Sequence, residues 1–490
     1  MGRSPLRADE GVCNWPARLR QPVAAGLLAA VEACTNGSAT STPGAKDAAL
    51  ADATRESARS DWDAEDRDVA AATEGEAGPQ DASTATICDA AVAAGARVIT
   101  LVNACPSQTI RIGVSGGYVQ DCDAGGCPQG TNCNTTRSPP GCFWDLPAPS
   151  CGGNVLPVGG SATYVLSAPA IAATGGASIT WSGNVYASTG CAPDGTGCTT
   201  AQCAVSAAGK TTIGPCLNGV GPQGPTTLAE FTLATNGPDY YDISAINGVN
   251  VPVSMAPIAG AADPSNPYSC GAAGSAIQTT GLASCSWSFD TQVTLSNVST
   301  DESTILRAVA PGGTPCTSNA QCAAPDVCGT ALAFGESALV QTCGRQVAWW
   351  TADELCAFTG SHFGAPLDCD RAVAGQGSFA SLYGCTGPEN ASSCYGVGAN
   401  SACCGCPDWN VGGQTLQVPS SFSCGNTNAQ WQSIAEPWAA FVKNACPTAY
   451  SFPFDDATST FTCSTPTPGP NAPNRVGYTI TFCPGGLTGF

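Results

Sequence analysis

Histidine is nearly missing from this 490-residue chain, with His362 as its single copy. A Ser-His-Asp or Cys-His catalytic set needs a histidine held between an acid and a nucleophile, so neither is expected here. The same scarcity removes the Cys and His knuckles of common zinc sites. Cys403, Cys404 and Cys406 crowd together, but without paired C-x-x-C spacing they read as staples, and no metal or cofactor is expected. Cations are scarce as well, 17 against 37 acidic groups, for a formal charge of −20. Residues 1–34 carry +1 (four basic, three acidic), 35–97 carry −7 (five and twelve) and the remainder −14 (eight and 22). A folded part so poor in positive charge offers little to phosphates or anionic lipid, which excludes nucleic acid as an expected partner. It suits a neutral polysaccharide better than a polyanion, although acidity also serves solubility.

What the chain has in abundance is cysteine (30), glycine (58) and proline (37), against two methionines. So many structural thiols point to an oxidising compartment, and the chain reads as loop-rich with covalent staples supplying much of its order. Arg3, Arg7, Arg18 and Arg20 precede an apolar run from Pro22 to Val31. That run is too short to span a bilayer but fits the core of a signal peptide, giving residues 1–34 as a leader. It ends Val31-Glu32-Ala33-Cys34, which resembles a bacterial lipobox, so the protein is expected to be secreted or held at the cell surface, as an outer-membrane lipoprotein is. Any membrane attachment would be through an N-terminal lipid only. Residues 35–96 are rich in Ala, Ser, Thr, Gly, Asp and Glu and read as a disordered acidic linker.

From residue 97 the pattern becomes β. Val98–Val102 and Ile110–Val114 flank Cys105, and Ala162–Leu166 and Ile179–Tyr186 continue the strand signal. Tyr118–Cys151 holds five cysteines and no clear strand, and is expected to be a loop. Gly224–Pro257 is dense in Thr, Tyr, Ile and Val, with turns at Asn236-Gly237-Pro238 and Asn247-Gly248. It sets Glu230, Asp239 and Asp242 beside Tyr240 and Tyr241, a candidate sugar-facing surface. Residues 258–345 read as an insertion with the frame Cys316, Cys322, Cys328 and Cys343, and residues from about 346 to 430 as a second cysteine-rich region.

Three ordered blocks resemble the thaumatin-like family. They are PTTLAEF, DYYDIS and GVNVP between Pro225 and Pro252, the run CPTAYSFPFDDATSTFTC to Cys463 with VGYTITFCP to Pro484, and ITLVNACPSQTIRIGV from Ile99. The resemblance implies an all-β fold: a thaumatin-like β-sandwich with a disulfide-rich second domain, occupying 97–490 and enlarged by insertions around 118–151 and 258–345. It would tie Cys105 to Cys483, Cys191 to Cys198, Cys203 to Cys216, Cys270 to Cys463 and Cys285 to Cys446.

The family is also known for an acidic cleft lined by an Arg, a Glu and three Asp. Carried over position by position, these fall on Ser188, Glu230, Asp242, Asn247 and either Asp455 or Asp456, so two of the five types have changed. Paired carboxylates are what glycoside hydrolysis needs, one protonated to donate to the leaving oxygen and one ionised. Glu230 is assigned as the acid, because a nearby carboxylate and partial burial both raise its pKa, and Asp242 as the group that positions water or stabilises charge. Loss of the Arg and replacement of an Asp by Asn247 act on Glu230 in opposite directions. Acids beside turns also commonly cap backbone amides. Tyr240, Tyr241, Trp349, Trp350, Tyr395, Trp409 and Phe454 could stack on sugar rings, and each could equally be core.

The expected function is therefore binding of β-1,3-glucan or a related wall polymer in an acidic cleft by a secreted monomer, with an antifungal role implied by the resemblance. An endo-β-1,3-glucanase using Glu230 and Asp242 is the first alternative. A protein-binding or inhibitory scaffold is the second.

Overall fold

The computed structural model describes residues 97–490 except 123–125, 136–139, 146–148, 167–170, 173–177, 194–196, 204–215, 217–220, 236, 280, 290–301, 333–337, 359–362, 364–366, 387–409, 412–413, 416–427 and 467–473. The readings of residues 1–96, Tyr395, Trp409 and the Cys403–Cys406 cluster lie outside the described residues.

The protein is all-β, built on two sheets that share one core. The smaller sheet runs β12 (Val253–Ile258), β23 (Gly477–Phe482), β1 (Arg97–Asn103) and β7 (Ser161–Leu166). The larger runs β21 (Ala449–Tyr450), β11 (Asp239–Ser244), β10 (Leu228–Ala234), β9 (Ser178–Thr189), β2 (Ile110–Gly116) and β6 (Val155–Leu156). A further strand, β22 (Phe461–Cys463), pairs with β11, and β8 (Ile171–Ala172) pairs with β9. Period-two alternation sorts the two faces. Ala229, Phe231 and Leu233 of β10 and Tyr241 and Ile243 of β11 enter the core with Ile99 and Leu101 of β1 and Ile480 of β23. The Phe231 and Tyr241 rings meet Tyr478 from the smaller sheet at 5.1 and 5.0 Å between centroids. Residues 230, 232, 240 and 242 are thereby left to the outer face of the larger sheet.

The first strand lies parallel to the last, Ile99 opposite Tyr478, and Cys105–Cys483 locks the pairing across 378 residues. The structure also joins Cys191 to Cys198, Cys203 to Cys216, Cys270 to Cys463 and Cys285 to Cys446. These are the same five pairs that the resemblance implies. In the chain-entropy picture, the Cys105→Ser/Cys483→Ser variant loses roughly 6 kcal/mol of stability, and Cys191→Ser/Cys198→Ser a little under half of that. Denaturant midpoints of the two variants measure the ratio, and equal losses would contradict the loop-length account.

Tyr118–Cys151 departs from the expected loop. It contains β3 (Tyr118–Asp121), β4 (Thr131–Asn134) and β5 (Gly141–Trp144), paired in the order β3-β5-β4. β3 and β4 carry no apolar alternation and are stapled by two cystines, Cys122–Cys133 and Cys127–Cys142, whereas β5 is buried and its Trp144 joins the common core. The region of Cys316–Cys343 repeats the device, with Cys316–Cys328 and Cys322–Cys343. Here β13 (Arg307–Val309), β14 (Val327–Leu332), β15 (Leu339–Gly344) and β16 (Gln346–Trp349) form a sheet ordered β15-β14-β13-β16. In both units the first cysteine bonds the third and the second bonds the fourth. The third and fourth face each other on antiparallel strands, Cys133 with Cys142 and Cys328 with Cys343. The residue before the first cysteine also pairs with the residue before the fourth, Asp121 with Gly141 and Pro315 with Thr342. One cystine unit is thus used twice, with different spacing between its third and fourth cysteines.

Helices among the described residues are short: α1 (Ala352–Ala357), α2 (Phe379–Tyr383), α3 (Ala429–Ile434), α4 (Glu436–Ala445) and α5 (Asp456–Ser459). Two small hairpins, β17 (Ala372–Val373) with β18 (Gly377–Ser378) and β19 (Asn410–Val411) with β20 (Gln414–Thr415), lie in the same part of the chain. Trp431, Trp438 and Phe441 of α3 and α4 join the common core.

Candidate functional site

The central feature of the outer face is a pair of acids on neighbouring strands. Glu230 of β10 stands directly opposite Asp242 of β11. Cross-strand partners have Cβ atoms about 5 Å apart, and here the two carboxyls come within hydrogen-bonding reach of each other. Both are buried, at 5% and 1% exposure. Burial pushes the pKa of Glu230 up to about 8, against the lowering effect of hydrogen bonding with the side chains of Asn184 and Asp242. The Asp242 carboxyl is driven well above the usual range, first by burial, then by the charges of Glu230 and Asp456 and by its hydrogen bond with Glu230. Two like charges this close do not both ionise near neutrality, so the pair holds a proton between them. The surroundings favour Asp242 as the group that keeps it, because Asp242 feels two neighbouring carboxylates whereas Glu230 has the Asn184 amide beside it, so Asp242 joins Glu230 as a candidate for the acid.

Adjacent residues part company at both of the ambiguous positions. Asp456, at the start of α5, accepts a hydrogen bond from the Tyr450 hydroxyl at 2.8 Å, and its charge reaches Asp242. Asp455 turns away into the core. It forms an ion pair with buried Lys443 at 2.8 Å and accepts from Ser451 N, Ser451 Oγ and Thr458 Oγ1. Its role as a ligand contact is therefore corrected to that of a structural counter-ion. Tyr240 sits half-buried on the outer face, one alternation from Asp242. Tyr241 is corrected to core: it is fully buried, its ring stacks on Phe461, and its hydroxyl donates to Gly271 O at 2.6 Å. A strand cannot turn two successive side chains to one face.

Asp239 also leaves the expected sugar-facing surface. It is sealed beneath the sheet, where it pairs with Arg97 and accepts from Tyr478 Oη and Ala234 N, both at 2.8 Å. Ser188 is buried, and its hydroxyl donates to Ala201 O at 2.8 Å, so it is not free to meet a ligand. Asn247, half-buried, donates through Nδ2 to Glu354 Oε2 at 2.9 Å and ties the turn to the first turn of α1. Trp349 and Trp350 are buried, with their indole N–H groups donating to Gly489 O and Thr330 O, and Phe454 is buried too.

Two residues not foreseen from the sequence complete the site. Asn184 of β9 is the cross-strand neighbour of Glu230 on its other side, and Ser115 of β2 is the neighbour of Asn184. Ser115 Oγ, Asn184 Oδ1, Glu230 Oε1 and Asp242 Oδ1 are each buried without a hydrogen-bond partner. An unsatisfied buried polar atom costs about 1–3 kcal/mol, and here four lie in register on neighbouring strands. The signal available in the sequence was the polar alternation Ser182, Asn184, Tyr186, Ser188 along β9, which carries no information on strand register. Cysteine sulfurs cluster in threes at Cys122, Cys127 and Cys142 and at Cys316, Cys322 and Cys343, but all are disulfide-bonded and have no thiolate to offer a metal.

A sandwich of these two sheets, stapled by long-range cystines and bearing acids on its outer face, defines a disulfide-rich β protein. A model of the Thaumatin family matches residues 159–377, which take in β9, β10 and β11. The chain is 27% identical over 313 residues to pathogenesis-related thaumatin-like protein 3.5 of Cryptomeria japonica, covering 63% of this chain and 72% of that protein. It is 26% identical over 308 residues to pathogenesis-related protein 5 of Arabidopsis thaliana, covering 62% and 72%. A shorter segment of 89 residues is 40% identical to a glucan endo-1,3-beta-glucosidase of Prunus avium, covering 17% of this chain and 34% of that protein. Residues 159–377 thus match the Thaumatin family, and over a wider span the chain is similar to thaumatin-like proteins.

Proposed function

We propose that the protein binds β-1,3-glucan, or a related neutral cell-wall polysaccharide, on the outer face of the larger sheet and does not cleave it. The observation that carries this reading is the Glu230–Asp242 pair, two carboxyls that share a proton while each keeps one buried oxygen without a partner. Such a pair carries little more than one negative charge and asks for hydrogen-bond donors, which the hydroxyls of a neutral sugar supply. The name of the Prunus avium relative points to the same polymer class. The pathogenesis-related names of other relatives fit an antifungal role outside the cell, where so many cystines are at home.

Hydrolysis is disfavoured by spacing. Retaining glycosidases hold their two carboxyls about 5–5.5 Å apart and inverting ones about 6.5–9.5 Å apart, with the sugar between them. Here the carboxyls are cross-strand neighbours within hydrogen-bonding reach of each other, which leaves no room for a sugar between them. Sedimentation with insoluble β-1,3-glucan, coupled to a reducing-sugar assay, tests both halves. The folded wild type is expected to co-sediment and to release no sugar. Failure to co-sediment would leave the protein-binding scaffold as the surviving account, and release abolished by Glu230→Gln would restore the hydrolase.

A further inference from the structure

We infer that the glucan chain lies across the strands, along a row of four residues, and that Ser115 and Asn184 form an uncharged subsite continuous with the acid pair. This deepens the reading just given and rests on it. The register is unbroken: Ser115 of β2 faces Asn184 of β9, Asn184 faces Glu230 of β10, and Glu230 faces Asp242 of β11. All four are buried, at 1%, 6%, 5% and 1% exposure, and each presents one polar atom that no other group satisfies. Asn184 Oδ1 and Glu230 Oε1 are acceptors, and the rest of the row can accept as well. What completes it must therefore bring donors along its whole length.

The rows on either side give the direction. On one flank, Tyr186 lies opposite Gly113 and its ring covers that glycine, where a Cβ would come within 2.2 Å of it. Leu228 packs with Tyr186 against Ala201, Cys203 and Cys216, so this side is an apolar wall. On the other flank, Ser182, Thr232 and Tyr240 stand in register, half-buried and each bearing a hydroxyl. A buried acceptor row between an apolar wall and a hydroxyl-bearing rim is a trough that runs perpendicular to the strands. Three inter-strand steps of about 4.8 Å make it about 14 Å long, roughly three pyranose rings. The acid pair reads the sugar at one end, and the neutral Ser115 and Asn184 read the sugar at the other.

Titration calorimetry of the full chain with β-1,3-linked di-, tri- and hexasaccharides tests this. The wild type is expected to bind the trisaccharide at least about tenfold more tightly than the disaccharide, with little further gain for the hexasaccharide. Ser115→Ala and Asn184→Ala are each expected to remove most of the trisaccharide advantage, read as the ratio of tri- to disaccharide affinity within each variant. Asn184→Ser, which keeps an acceptor, is expected to recover part of it. Ser115→Ala deletes a single oxygen, so it carries the test if the Asn184 variants fold poorly. Equal affinity for di- and trisaccharide in the wild type, or an undiminished preference in Ser115→Ala, would overturn the inference. If Glu230→Gln still abolished binding in that case, the acid-pair reading would stand without its extension. If no oligosaccharide bound to the wild type, the proposed function itself would fall.

Discussion

Raising the pH from 4.5 to 8 should lower the melting temperature of the wild-type protein, and Glu230→Gln/Asp242→Asn should make that slope clearly shallower. In the unfolded chain Glu230 gives up its proton near its ordinary value of 4.5, whereas in the folded protein it keeps it to about 8. Between those values the folded state binds more protons than the unfolded one, so unfolding becomes easier as pH rises. Each pH unit in that window removes about 1.4 kcal/mol per retained proton, on the order of 5 kcal/mol across it. Asp242, Asp239 and Asp456 are raised in the same direction, each chiefly by burial. Their contributions are likewise present in acid and lost as pH climbs. The double variant replaces both acids by neutral amides, so above pH 8 it should melt higher than wild type, and in acid no higher. Differential scanning calorimetry at half-unit steps reads the slope directly. A wild-type melting temperature that rose between pH 5 and 8, the behaviour of carboxylates held ionised by the fold, would contradict the shared proton. Binding should follow the same titration, because ionisation of both acids sets two charges against each other in the floor of the trough.

The part of this site that was legible in the sequence is the part that local pattern determines. Glu230 and Asp242 lie in short strand-like runs joined by a tight turn around Gly237, and that hairpin brings them opposite each other whatever the rest of the chain does. Asn184 and Ser115 come from β9 and β2, which reach β10 through long-range pairing. A one-residue slip would have turned both inward, and nothing local distinguishes the two registers. Tyr241 could have been separated from Tyr240 by period two alone, had the strand been trusted to be regular. Between Tyr118 and Trp144, β3 and β4 left no hydrophobic signature because cystines hold them, and β5 is too short for its buried Phe143 and Trp144 to show a period. At Ser188 the shorter side chain found a backbone carbonyl within the protein, so loss of the expected arginine left no vacancy for a ligand group.

Asp455 supplies the sharpest contrast between neighbours, through its partner. Lys443 on α4 is completely buried, and its ammonium donates to Asp455 Oδ2, Ser459 Oγ and Ala449 O at 2.8, 2.8 and 3.2 Å. Burial lowers the pKa of this lysine, while the charge and hydrogen bond of Asp455 support the protonated form. Removing one member strands the other as an uncompensated buried charge, a loss of roughly 3–5 kcal/mol. Asp455→Ala should therefore unfold at much lower denaturant, and Lys443→Ala should suffer similarly. Lys443→Met/Asp455→Asn, which neutralises both groups, should recover a large part of the loss. Asp456→Asn, one residue away, removes a group whose charge acts on Asp242 and should leave stability near wild type or above it in alkali, while changing glucan retention. Denaturant melts and glucan sedimentation on the four variants separate the two aspartates. If Asp455→Ala folded as well as wild type and lost retention, Asp455 would be the ligand contact and the assignment of the neighbours would be reversed. The same ion pair anchors α4 to the segment that carries α5, so the depth of Lys443 in the core sets where Asp456 meets the acid pair.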